Sequence, residues 1–567
     1  LNYETKMKMI SKISKLILGL VFVSSVVSAQ SLEDARKAID AEQYQKAKSM
    51  LKNLTVTQAT KDENFFYLGW VYVLQDYTDS AKTAFNKGIA VNPKSALNYA
   101  GLGVAAFVDK DKATATTNFN QAVTLAGKNT TAYAYVGRGY LMAPVNDRVA
   151  PADAEAAIAI LNKAKALNAK DVDVLLALGE AYRTQSKNTE ALSNYQAALS
   201  INPKLASAKV ATGVIWKFAN NFESSETEFK AALAIDPNYG PAYREWAETD
   251  VRWALSDPKM ASVKIKEAVD QYRKYLSLTD MSEESQLRYA DFLVYAGDWK
   301  TLQTVATDLS KTSKNLKVYR YLAYAAYENK DYPTALSAMN TWITKAEPKR
   351  VIARDYLYYG RAQIASQQDS LGIASLQQAY QLDTTQADVY SEMAKSFYAQ
   401  KKYEKAGDAY HMYLTKSRKG TLNDYFRQGF SYYFAYDPSK PNPDTTLLTK
   451  ADSAFSYVEQ KASKPIGDVT LYRARIAEYK DKDRNNIKGL AKPFYEKYIT
   501  IMTAAPLPDE RSKKNMGEAY AYLGAYYEFK EKDEAKATEN YTKAKEVDPT
   551  NKQALGYFSK KGGAKGK

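Results

Sequence analysis

Small and large apolar positions recur along this chain in a pattern that fits paired short helices. From Asp62 to Lys94 the sequence reads DENFFYLGWVYVLQDYTDSAKTAFNKGIAVNPK, two amphipathic segments at helical spacing with a polar turn between them. The marked positions are Leu68, Gly69, Tyr72, Ala81, Phe85, Gly88 and Pro93. Gly69 and Ala81 are small where the first helix crosses the second, so the two backbones can approach. Tyr72, Phe85 and the gap at Gly88 form a surface that only a following helix pair can cover. Asn92-Pro93 ends the second helix, because the residue before proline is pushed out of the helical region and proline has no N–H.

The same marks return at a fixed spacing. Gly69, Gly103 and Gly137 lie 34 residues apart, as do Gly179 and Gly213. A unit of this kind cannot bury its own apolar face, so it must be stacked. The clearest copies carry Leu178, Gly179, Tyr182, Ala191, Tyr195, Ala198 and Pro203, and Leu523, Gly524, Tyr527, Ala537, Tyr541, Ala544 and Pro549. In spacing and residue type they resemble the tetratricopeptide repeat (TPR) family. The resemblance covers nearly all of residues 32–556. It implies an all-α solenoid, a right-handed superhelix of antiparallel helix pairs without sheet.

The chain divides accordingly. Residues 1–29 read as a signal peptide with an upstream extension, the start falling at Met7 or Met9. Lys8, Lys12 and Lys15 precede the apolar run Leu16 to Val27, and Val27-Ser28-Ala29 supplies a small-residue cleavage site. That run is too short to span a bilayer, and no later run approaches the ~20 apolar residues a span needs. Residues 30–60 form a capping helix pair, and 61–435 an array of about ten repeats with inserts near 142–153 and 252–261. A proline-rich insert follows at 436–446, then C-terminal repeats over 447–556 and a basic flexible tail over 557–567.

Composition narrows the chemistry. Cysteine is absent and histidine occurs once, at His411 on a solvated helix face. That removes disulfides, zinc thiolate sites, a lipid-bearing cysteine and a cysteine nucleophile, and leaves triad chemistry resting on one residue. The charge of +15 falls to +12 once residues 1–29, with four lysines and one glutamate, are set aside. From Lys464 to Lys567 there are 22 basic and 15 acidic residues, so +7 of it is C-terminal. The Lys-rich tail is solubilising, or a contact for a glycan or an anionic envelope surface. Export places the chain away from nucleic acid, and none is expected as a partner.

No motif for a cofactor, a metal or catalysis stands out, and none of the three is expected. Gly101-Leu102-Gly103 and Gly137-Arg138-Gly139 lie inside first helices with no strand before them, unlike a nucleotide loop. Glu245, Glu248, Asp250, Glu283 and Glu284 read as solvated helix faces. In the family the resemblance points to, first helices line a concave groove that binds extended peptides or partner helices. Its register puts Phe66, Trp70, Phe107, Arg138 and Arg183 on that face, with Arg320, Tyr324, Tyr327, Arg361 and Tyr398 farther on. Phe430, Tyr433 and Phe434 form a cluster beside the proline-rich insert. Aromatic anchors beside arginines are the types that dominate interface energies.

The expectation is a non-enzymatic scaffold or adaptor of the cell envelope that holds an envelope protein or peptide in its groove. It would be exported, and periplasmic, extracellular or associated with the outer membrane. The alternative is a carbohydrate- or peptidoglycan-binding envelope protein, its exposed aromatic rings stacking on sugars.

Overall fold

The computed structural model describes residues 31–142, 148–417, 419–481, 488–504 and 509–564. The expected signal peptide lies outside them, as does part of the insert near 142–153. Twenty-nine α-helices and no strand occur among the described residues, and successive helices pack as neighbours. The capping pair is Leu32–Asp40 with Tyr44–Thr57, and the first repeat is Asp62–Leu74 with Thr78–Val91. None of the described helices is long and apolar enough to cross a membrane.

The reason for the small positions is visible at Phe85. A Cβ added to Gly69, in its own repeat, or to Gly101, in the next, would lie 2.3 Å from the Phe85 ring. One fully buried ring thus fills the space left by two glycines and joins consecutive repeats. Tyr195 has the same relation to Gly179, where an added Cβ would come within 2.1 Å. Large residue and glycine are complementary halves of one contact.

The turns repeat as well. Glu42, Asp76 and Lys110 adopt φ of 60°, 63° and 67°, each 34 residues after the last. Left-handed backbone costs a non-glycine residue roughly 1–2 kcal/mol. Hydrogen bonds that close the helix end offset it: Tyr77 N–H donates to the Tyr72 carbonyl at 2.8 Å and Asp111 N–H to Ala106 at 2.9 Å. At the other end of each pair the residue before proline is extended, as at Asn92 with φ −136° and ψ 97°. Its side chain then accepts the N–H two residues on: Lys94 to Asn92 at 3.0 Å, Lys204 to Asn202 at 3.0 Å, Asn238 to Asp236 at 2.8 Å.

Two compact units divide the chain after Lys311. In the first, the insert expected near 252–261 is absorbed by longer helices, Gly240–Ser256 and Ala261–Leu278. In the second, the proline-rich segment runs as a loop between Leu422–Ala435 and Thr445–Lys461.

Two departures from expectation occur near the C-terminus. The stretch expected to be a flexible tail from 557 continues the helix Lys552–Ala564. Its Ala554 and Tyr557 are buried, and Tyr557 stacks on Tyr541 at 4.3 Å, covering the last repeat. The last repeat also holds one residue more between its marks, ten from Tyr527 to Ala537 against nine from Tyr72 to Ala81. That residue is accommodated by a π-helical turn, Tyr527–Glu531.

Candidate binding surface

In the first unit the face formed by the first helices is filled by the chain itself. The turn after Leu32–Asp40 reaches residues far along the same unit. Ala41 packs with Val210, Phe229, Tyr239 and Ala242. Arg36 bonds Asp173 at 3.0 Å, and the Gln45 N–H donates to Asp280 at 2.8 Å. Glu42 accepts from Arg244 at 2.7 Å and from the Tyr275 hydroxyl at 2.9 Å. Beside this turn, Tyr135 takes the edges of Phe66 and Trp70 at 4.7 and 4.8 Å between ring centroids.

Most of the cations on first helices are already engaged. Arg138 reaches Glu180 of the next first helix at 3.4 Å, and Lys217 reaches Glu245 at 2.6 Å. Burial alone would raise Glu245, but Arg244 and Lys217 hold it down at about 2. In the second unit Arg361 clasps Glu392 at 3.0 Å and Arg475 clasps Glu518 through two bonds of 2.7 and 2.6 Å. Arg320 donates to Asp355 at 2.9 Å and sits 4.4 Å over the Trp342 ring. The fully buried Asp355 carboxylate also accepts from Tyr324, Trp342 and the Ile352 N–H. These arginines tie repeat to repeat and are not free to grip a ligand.

An open cleft of about 1060 Å³ lies within the second unit. A loop, the terminal helix, several first helices and the π-turn line it. The proline-rich loop contributes Pro438, Lys440, Pro441 and Pro443, and the last helix Lys552, Gly556, Tyr557 and Lys560. First-helix residues Tyr433, Arg475, Tyr479, Glu518 and Tyr522 complete it, with Glu528 and Phe529 from the π-turn. Phe529 is 54% exposed. Every carboxylate here accepts from the protein: Glu478 from Tyr495 at 2.7 Å, Glu518 from Arg475, Glu528 from Tyr541 at 3.0 Å. Asp481 takes the N–H groups of Lys488 and Gly489 at 2.9 and 2.7 Å. Burial raises the hydroxyl of Tyr433, so this phenol stays a protonated donor.

Residues 176–240 match the tetratricopeptide repeat family. Residues 176–240 carry tetratricopeptide repeats. Solved structures similar to it include the C-terminal part of a TPR repeat-containing protein from Cytophaga hutchinsonii. That structure shares 29% identity over 47% of this chain and 97% of its own, with a TM-score of 0.34. YrrB, described as a TPR protein with an unusual peptide-binding site, shares 19% over 34% of this chain and 95% of its own (TM-score 0.22). The APC/C hetero-tetramer Cut9–Hcn1 shares 14% over 82% and 98% (TM-score 0.31). No curated protein matches the sequence.

On this helical array, the residues assigned to an open face divide into groups. Phe66, Trp70, Phe107 and Tyr324 are 0, 6, 3 and 3% exposed, which corrects their placement on a free surface. Successive first helices approach so closely in the first unit that inward-pointing rings meet each other there instead of solvent, and in the second unit Tyr324 stacks on Tyr358 at 4.4 Å and donates to the buried Asp355. Arg138, Arg320 and Arg361 pair with carboxylates as above, and Arg183 is half-buried. Tyr327 is half-buried edge-on to Tyr358 at 5.5 Å, and Tyr398 is partly exposed beside Tyr403. Phe430 packs on Tyr472 at 4.5 Å, leaving Phe434 exposed and Tyr433 facing the cleft.

Two further readings change or hold. Asp250 and Glu245 are not on a solvated face: Asp250 is fully buried, 3.4 Å from the Lys264 ammonium, and Glu245 lies between Lys217 and Arg244. His411 is exposed on its helix, as expected. The sequence reading also misses Tyr479, Tyr522 and Phe529. Tyr479 and Tyr522 each occupy the thirteenth position of their first helices, and the extra residue before Ala537 marks Phe529.

Proposed function

We propose that this chain is a non-enzymatic adaptor of the cell envelope that holds a segment of a partner protein in its C-terminal cleft. The observation that carries the reading is the cleft itself: tyrosines, an exposed phenylalanine and a rigid proline-rich wall around a volume large enough for several side chains. Aromatic rings offer large contact area with little side-chain entropy to lose, as partner-binding surfaces require. The signal-like segment at residues 1–29 supports the compartment.

The test is cross-linked capture from a cell-envelope fraction by the chain beginning at Gln30, beside a Phe529→Ala, Tyr522→Ala variant. The expected result is one envelope protein retained by the parent and lost by the variant, with helicity unchanged. Equal capture by both would move binding elsewhere, and capture of purified peptidoglycan alone would replace a protein partner with a glycan. Mass spectrometry of the cell-derived chain checks export: a mature N-terminus at Gln30 is expected.

A further inference from the structure

We propose that the cleft selects an acidic segment, laid along the last helix with its backbone against Gly556 and its carboxylates at Lys552 and Lys560. This rests on the peptide-holding reading above and adds the chemistry of the partner.

Charge accounting inside the cleft points one way. Its carboxylates Glu478, Asp481, Glu518 and Glu528 already accept hydrogen bonds from the protein, and Arg475 is committed to Glu518 and Asn515. Lys440, Lys552 and Lys560 are exposed, and none makes a side-chain hydrogen bond or ion pair with another described residue. The charge still available to a ligand is therefore positive. A basic segment would meet carboxylates whose donors it must displace, and would bring cations beside three lysines. An acidic one meets ammonium groups that need no rearrangement.

The helix geometry supplies the second argument. Lys552, Gly556 and Lys560 stand at four-residue intervals on one stripe, with Gln553 and Tyr557 beside them. The two lysines are about 12 Å apart along the axis, a distance an extended chain covers in roughly four residues. Glycine inside a helix is unfavourable relative to alanine, and among the described residues nothing lies within 4 Å of the place where a Gly556 Cβ would stand. No packing among the described residues requires that gap. It leaves a slot between the two ammonium groups where a partner backbone can approach, and the tyrosine rings then receive the intervening apolar side chains.

Fluorescence anisotropy tests this on the chain from Gln30, using a labelled extended peptide that alternates Glu and Leu and its Gln-for-Glu counterpart. The Glu peptide should bind, with affinity falling as salt rises. The Gln peptide, and a Lys552→Gln, Lys560→Gln variant with the Glu peptide, should each be weaker by roughly tenfold. Gly556→Leu should lower affinity while the thermal midpoint holds or rises, which separates a filled slot from a damaged fold. Equal affinity for the two peptides overturns the acidic preference and leaves the peptide-holding reading intact. Undiminished binding by Gly556→Leu overturns the slot. Binding of neither peptide overturns this proposal, and overturns the adaptor reading too only if envelope capture is also absent. Retention of polygalacturonate in place of the Glu peptide overturns it in favour of an acidic glycan.

Discussion

The first unit and the C-terminal end of the second use one repeat in opposite ways. In the first, the face formed by the first helices is consumed internally: Glu42 binds Arg244 and Tyr275, and Tyr135 takes the edges of Phe66 and Trp70. In the second, the corresponding positions near the C-terminus line an open cleft bounded by a proline-rich loop and a terminal helix. The same residue classes, tyrosine and arginine on first helices, occur in both. Residue type at an inner position therefore does not announce function. What matters is whether another part of the chain already satisfies the position.

The largest expected effect comes from emptying a joint between repeats. Phe85→Ala removes the ring that fills two glycine sites and should cost about 3–5 kcal/mol, read as a lowered urea midpoint. Ala81→Leu, at the crossing of the same pair, should cost about 1–3 kcal/mol by overpacking. If both are neutral, the repeat register is wrong in the unit where it is best defined.

A smaller effect tests the closed face. Glu42→Gln weakens the bonds to Arg244 and Tyr275, which are partly exposed, so about 1–2 kcal/mol is expected. Amide exchange should quicken at Ala41 to Gln45 and at Arg244. Unchanged exchange at both places would mean that the turn is not held by these bonds.

The closed unit should also respond to pH. Burial and the neighbouring Glu226 push Asp250 from 3.8 up to about 8, against the pull of Lys264. The folded chain then keeps a proton that the unfolded chain releases above about 4. This group's contribution to stability is full below that pH and declines as pH rises toward 8. Urea midpoints measured across this window should fall for the parent, and less steeply for Asp250→Asn. The smallest stability effect belongs to the open cleft, where Phe529→Ala should stay within about 0.5 kcal/mol while abolishing capture of a partner.

Much of the fold was legible because its determinants are local. Gly69 with Phe85, Gly179 with Tyr195, and Asn92-Pro93 are contacts or stops within about one repeat, and a fixed spacing exposes them. The candidate site was far less legible. Tyr433 was assigned to a binding face and lines the cleft, whereas Phe66, Trp70, Phe107 and Tyr324 proved to be core. The terminal helix was hidden because its basic, glycine-containing sequence lacks the repeat's marks. It is buried against Tyr541, a partner that only the preceding repeat supplies.

By itself the sequence determined the helix pairs, their register, their stops and the way each pair seats on the next. These follow from side-chain volume and backbone chemistry over a few dozen residues. Only the tertiary structure decided which face remained open. The small rotation between successive repeats accumulates along a stack, and it carries the turn at Ala41 to Tyr239 and Arg244 in the first unit. No residue on either side of that contact specifies it alone, because it is the sum of many local packing angles.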